Sequence, residues 1–308
     1  MNFTDIKAYN SKAKLMISGE YLVLKGALSL ALPLKYGQRL TIRPKEGKPI
    51  IKWKSLVNNN LWFKATLLLP DFRILSTNLP DLAEKLCNIL LAAKALNHNF
   101  PEPAQEYRVT SEMDFNPEWG MGSSSSLISN IAAWADCDPF KLNKLVFNGS
   151  GYDIACARSS GPIIYEIRED IPTFREADFH PSFYRKLFFV YLNRKQNSKE
   201  SIQKLDLSNI KTKNFNEISE LTLCLEKSDN LEVFQSLIVH HEEIMGNILK
   251  KKPVKELYFN DFNGAVKSLG AWGGDFILAA SAEPGEYVRN YFKNKNLNTI
   301  FSYDEIVL

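Results

Sequence analysis

The run GMGSSSS at Gly120–Ser126 constrains this chain more than any other stretch. It leads directly into ISNIAAWA, whose apolar residues recur at helical spacing, so the run opens a helix. The first turn of a helix carries unpaired amide N–H groups and the positive end of the helix dipole, which suits a phosphate. Gly120 and Gly122 let the backbone approach an anion closely, and Ser123–Ser126 add hydroxyls. No GK[ST] triplet follows, so this is not a Walker loop. Taken alone, the run fits a plain Gly-Ser turn with a serine cap equally well.

The rest of the chain sets limits on partners. Its 308 residues are enough for one sizeable enzyme or two packed domains. With 38 basic against 35 acidic residues, a nucleic-acid surface is not expected as the main function. Cys87, Cys137, Cys156 and Cys224 form no CxxC pair, so neither a zinc site nor a disulfide framework is expected and a reducing compartment fits. The polar start MNFTDIKAYNSKAK has no signal-peptide core, and runs such as LFFVYL are too short to span a bilayer. A cytoplasmic protein without membrane attachment is the expectation. A homodimer is compatible with the sequence, which does not set the oligomeric state.

The coarse pattern is α+β. AKLMISGEYLVL, ALSLALPL, KYGQRLTIRP, PIIKWKSL and LWFKATLLL read as strands, the later ones with period-two alternation. LPDLAEKLCNILLAAKALN has helical spacing, with Asn78 as a cap and Pro80 in the first turn. EYRVTSEMDF returns to a strand, and DPFKLNKLVF is a short helix. IIYEI and KLFFVYL read as strands, the second buried on both faces. Residues from about 214 to 250 are helical, and LGAWGGDFILAAS is a strand-turn-strand segment. A domain boundary is expected near Tyr165. His240 and His241 lie next to each other in IVHHEEIMGNILKK, about 100° apart around a helix, and HExxH spacing is absent. They are expected on the helix surface rather than at a metal.

Four stretches, in order, resemble the GHMP superfamily of kinases. SKAKLMISGEYLVLKGALSLALPL resembles the first motif, with Lys14 at its lysine and Gly19-Glu20 at its GE. Pro117 and Gly120–Ser124 match the second, and GSGYDIACARSSGPIIY contains the aspartate segment. Lys267, Gly270-Ala271 and Gly273-Gly274 match the third motif. The resemblance runs from Ala13 to about Ala279, and its mevalonate and phosphomevalonate kinase branch fits best. It implies a two-domain fold, with an N-terminal mixed β/α, ATP-binding domain over 1–165 and a C-terminal ferredoxin-like domain over 166–308.

It also implies an ATP- and Mg²⁺-dependent kinase acting on a small hydroxy acid or phosphorylated acid, with mevalonate the first choice in isoprenoid precursor synthesis. Phosphomevalonate is the alternative, and a catalytically silent ATP- or metabolite-binding relative is a third reading. ATP binding falls to Gly120, Met121, Gly122, Ser123, Ser124 and Ser125, with Gly270, Gly273 and Gly274, and Ser124 supplies a hydroxyl to Mg²⁺. Asp153 is the catalytic aspartate, accepting or orienting the acceptor's proton. Lys14 neighbours it in mevalonate-type enzymes and offsets phosphate charge. Glu20, Tyr21, Tyr152, Ser198 and Lys199 are the substrate-binding set, and Arg194 and Lys195 add basic charge nearby.

The chain departs from the pattern in four places. Lys12-Ala13 replaces PG in the first motif, and only Glu118 and Trp119 separate Pro117 from Gly120. Trp272 stands where a glycine is expected, and its indole would narrow the nucleotide or substrate space. Ser124 and Asp153 are 29 positions apart, fewer than in typical relatives, which removes the segment that carries a glutamate ligand for Mg²⁺ in mevalonate kinases. Asp136 or Asp138 would replace that ligand only if the shortened loop folded back.

Overall fold

The period-two stretch around Trp53 forms a strand with one wet face. Ile51, Trp53 and Ser55 point inward while Lys52 and Lys54 point out. The computed structural model describes residues 6–102, 105–194, 210–270, 272 and 274–308. These residues divide into two compact units. Of the described residues, the first takes those within 6–13, 36–117 and 122–158, and the second those within 14–35, 118–121 and 159–308.

In the first unit the strand order is β5-β4-β3-β6-β2, formed by β2 (Ser29–Glu46), β3 (Ile50–Val57), β4 (Asn60–Leu68), β5 (Arg73–Thr77) and β6 (Gln105–Met113). The β3–β6 pairing is parallel and the others are antiparallel. Three helices cover it: α1 (Pro80–Leu96), α2 (Ser123–Trp134) and α3 (Pro139–Phe147). The α1 residues Ala83, Leu86, Cys87, Leu90 and Ala93 recur at helical spacing and enter a core with Ile51, Trp53, Phe63, Ile128 and Ile131. A fourth helix, α4 (Tyr152–Arg158), packs on α2.

The second unit pairs Ser29–Ala31 of β2 with β7 (Ile163–Arg168), which pairs in turn with β8 (Ile171–Glu176). Its other sheet is antiparallel, in the order β10-β11-β9-β12: β9 (Leu187–Tyr191), β10 (Ala265–Ser268), β11 (Phe276–Ala280) and β12 (Ile300–Ser302). β9 is buried along its whole length and has a partner strand on each edge. α5 (Thr212–Glu226), α6 (Leu231–Leu249), α7 (Val254–Tyr258), α8 (Gly285–Lys293) and α9 (Tyr303–Ile306) complete the unit. Val254 and Phe259 with Val288 and Phe292 of α8 cover one face of the small sheet. The mixed large sheet and the second small sheet are the α+β arrangement expected from the motifs. The units themselves are interleaved in sequence rather than consecutive.

Two local expectations change. The apolar run after Met16 does not continue as a strand: β1 (Lys7–Met16) ends, and Leu22–Lys25 is a 3₁₀ turn. Gly19 at φ 89° and Tyr21 at φ 61° force the corner, and a Cβ on Gly19 would lie 2.6 Å from Leu28 O. Asn78 does not cap α1, whose N-cap is Leu79. Its side chain accepts from Lys64 N (2.8 Å) and donates to Trp62 O (3.2 Å), tying the helix entry to β4.

Candidate active site

Among the described residues of the first unit, the start of α2 is the centre of the site. Its N-cap is Gly122, left-handed at φ 88°, and no side chain caps the helix, so the serine-cap reading gives way to a glycine corner. Gly122 offers these first-turn amides no side-chain cap, which suits the turn to holding an anion. Ser124 is exposed at this turn, while Ser125 and Ser126 turn inward. Ser125 Oγ donates to Asp153 Oδ2 in the first turn of α4, and Ile154 N donates to Asp153 Oδ1 (3.2 Å). Tyr152, half-buried, begins the same helix.

A buried polar ladder aims α2. Ser126 Oγ lies 2.7 Å from Gln38 Oε1, and Gln38 Nε2 donates to Ser111 Oγ (2.6 Å). Asn130 accepts from Ser11 Oγ (2.8 Å) and donates to Gln38 O (2.9 Å). Buried polar groups satisfied in this way fix one orientation, because any rotation of α2 would strand them. Asp136 and Asp138 lie past the far end of α2, beyond about 15 Å of helix from Ser124. Asp138 caps α3, accepting from Phe140 N (2.8 Å) and Lys141 N (3.2 Å). Neither aspartate folds back to the serine turn.

The second unit carries the other motif residues. Lys14 N donates to Met121 O (3.0 Å) and Lys14 Nζ to Gly120 O (3.1 Å), which ties the first motif to the opening of the second. Gly120 is left-handed at φ 67°, and a Cβ there would lie 2.6 Å from the Asp275 carboxyl carbon. Gly270 shares that conformation at φ 68°, and Gly274 is buried. Gly273, Ser198, Lys199 and Lys195 lie outside the described residues. Arg194 is exposed, its guanidinium 5.1 Å from the Tyr258 ring centre.

Three side chains sit where the sequence did not place them. Glu20 is buried, with Lys267 Nζ bonded to its Oε1. His241 is fully buried rather than on the helix surface, its Nε2 accepting from Gly19 N (3.2 Å), while His240 stays half-exposed. Trp272 turns its indole into a core with Tyr21, Leu22, Ile218, Leu221 and Met245, and its backbone N donates to Tyr21 Oη (3.1 Å). The indole therefore fills interior volume.

No protein-family model matches the sequence, and no curated protein matches it by sequence. Solved structures do match the chain. Its fold is that of the GHMP kinases, a likeness seen over nearly the whole chain. The mevalonate kinase of Methanococcus jannaschii superposes with TM-score 0.69 at 16% identity, over 96% of this chain and 97% of that one. The Streptococcus pneumoniae phosphomevalonate kinase, solved with phosphomevalonate and AMPPNP, gives 0.71 at 16% identity, over 96% and 99%. The Lactococcus lactis galactokinase, solved with galactose, gives 0.65 at 11% identity, over 97% and 93%. Among the described residues no helix is long and apolar enough to cross a membrane.

Proposed function

We propose that this chain is an ATP-dependent small-molecule kinase that transfers the γ-phosphoryl group to the hydroxyl of mevalonate. The observation that carries the reading is the Ser125–Asp153 hydrogen bond. It holds a carboxyl group against the same helical turn whose first amides suit phosphate. Phosphoryl transfer asks for little more than this: a phosphate cradle and a group that takes or orients the acceptor's proton.

In this reading Gly120–Ser125, Gly270, Gly273 and Gly274 bind ATP, Asp153 receives the acceptor proton, and Lys14 offsets developing phosphate charge. Glu20 and Tyr21 contribute from inside the second unit by supporting Lys267 and Trp272, and Tyr152, Ser198 and Lys199 meet the acceptor. Among the described residues no three histidine, cysteine or carboxylate side chains converge on a metal site. The exposed Ser124 hydroxyl beside a phosphate cradle still fits Mg²⁺, which binds through few protein ligands and keeps phosphate oxygens and water. The ion would supply charge neutralisation on the transferring phosphates.

Phosphomevalonate is the second reading, favoured by Tyr21 after the GE pair and by Asp275 after the third glycine segment. ADP release measured with mevalonate, phosphomevalonate, homoserine and galactose separates these acceptors. Turnover on mevalonate that Asp153→Asn lowers at least about 100-fold, with AMPPNP affinity kept, is the expected result. AMPPNP binding without turnover on any acceptor would replace the kinase with a binding protein.

A further inference from the structure

Four ionisable side chains share one dry volume in the second unit. Glu20, Lys267, His241 and Glu242 are each at most 2% exposed. Lys267 Nζ, at the end of β10, donates to Glu20 Oε1 and to Ser268 O (2.8 Å). Glu242 accepts from Ser268 N (3.0 Å), Ser268 Oγ (3.4 Å) and Val254 N (3.3 Å). Among the described residues the other titratable side chain acting on His241 is His240 on α6, while α5 contributes the uncharged Thr222 hydroxyl, bonded to Ser18.

One contact in this cluster lacks a proton in the simplest count. His241 Nε2 accepts from Gly19 N–H at 3.2 Å, and Glu20 Oε2 lies 3.2 Å from that same nitrogen. With the ring nitrogen as acceptor, a bare carboxylate oxygen would face its lone pair. Neither Glu20 Oε2 nor His241 Nδ1 has another hydrogen-bond partner among the described residues. Nor does one ammonium offset two buried carboxylates, so the cluster retains a further proton, and burial also pushes the Glu242 carboxyl up to about 7. Burial, opposed by Lys267, pushes the Glu20 carboxyl up, and burial followed by the Lys267 charge pushes His241 down. Both directions put the shared proton on the carboxyl side.

We propose that His241 is a positioning residue for phosphoryl transfer: by sharing one proton with Glu20 it fixes the Gly19–Glu20 corner and, through Glu20, the Lys267 side chain at the head of the segment that carries Gly270. The inference rests on the kinase reading for its function, though not for its geometry. The corner has no slack, since Gly19 is left-handed and a Cβ there would strike the Leu28–Ser29 backbone. When rising pH removes the shared proton, the carboxylate confronts the ring lone pair and the corner shifts.

The test uses His241→Gln and His241→Leu in the full chain. A glutamine amide offers an oxygen to Gly19 N–H and an N–H to Glu20 Oε2, so the contact closes without a shared proton. Wild-type kcat should decline as pH rises past neutrality. His241→Gln should remove that alkaline limb or move it by about one pH unit, with both KM values within about threefold. His241→Leu should lower kcat about tenfold or more and leave AMPPNP affinity within about threefold. Identical pH profiles for wild type and His241→Gln overturn the proposal, as does an unaltered kcat in His241→Leu. Should the leucine variant fail to fold, the glutamine variant decides. If no acceptor is phosphorylated, the kinase reading fails and the proton is read directly. The ¹⁵N-glycine resonance of Gly19 should then titrate in wild type and stay still in His241→Gln from about pH 5 to about pH 9. A resonance that stays still in wild type overturns the shared proton itself.

Discussion

Ser125 and Asp153 are bonded side chain to side chain, so the first turn of α2 and the first turn of α4 present their polar groups as one unit. A hydroxyl donor to a carboxylate is worth about 1.5–3 kcal/mol where one partner is charged. Ser125→Ala should therefore lower kcat roughly 10- to 100-fold by releasing the aspartate from its orientation. The amides that suit phosphate remain, so AMPPNP affinity by calorimetry should change less than about threefold. A large loss of nucleotide affinity with kcat intact would mean that Ser125 serves the nucleotide rather than Asp153.

Gly120 is constrained twice, by its left-handed backbone and by the Asp275 carboxyl group that occupies the place of a Cβ. Alanine in the left-handed region costs about 1–2 kcal/mol, and the collision adds to it. Gly120→Ala should lower the melting temperature, and in an Asp275→Ala background, taken as its own reference, part of that loss should be restored because the collision is gone. Full restoration would mean that the backbone conformation costs nothing. No restoration would mean that Asp275 gives way freely.

Trp272 stands where the kinase motif has glycine, yet its indole is interior. Trp272→Gly should not open a nucleotide space but empty a core volume, at about 3–5 kcal/mol. Trp272→Phe should be far milder, since it keeps most of the ring and deletes an indole N–H that has no partner among the described residues. Melting temperatures and AMPPNP affinities of the two variants check this. A glycine variant that melts like wild type and binds AMPPNP more tightly would restore the narrowing expected from sequence.

Much of the fold was legible because its signals are local. The alternation around Trp53 and the helical spacing from Ala83 to Ala93 each act within a few residues. The glycine turn that opens α2 was legible for the same reason, since Gly122 and the serines that follow it are contiguous. What escaped is what contacts across distance create. His241 reads as half of an exposed pair until Gly19 and Glu20, more than two hundred positions earlier, are packed against it. Gln38 carries no motif, yet its amide orients α2 through Ser126 and Ser111. Asn78 looks like a cap because caps and strand clamps use the same amide, and only the position of β4 decides between them.

A last prediction concerns acid stability in the second unit. Arg175 holds the buried Glu226 with two hydrogen bonds, at 2.6 Å and 2.8 Å, and Asp178 N adds a third at 3.0 Å. The Arg175 hydrogen bonds, against the cost of burial, hold the Glu226 carboxyl below its ordinary value near 4.5. A depressed carboxyl stabilises the folded state above its unfolded value, and that contribution disappears as pH falls through the folded one. Wild type should therefore lose stability on acidification below about pH 5, while Arg175→Met should be less stable at neutral pH by about 2 kcal/mol and show a shallower acid limb. The neutral-pH loss comes from stranding a buried carboxylate, so Arg175→Met with Glu226→Gln should recover part of it. Denaturant unfolding between about pH 3 and about pH 7 reads both effects. Parallel acid limbs in wild type and Arg175→Met would show that the pair does not set the acid response.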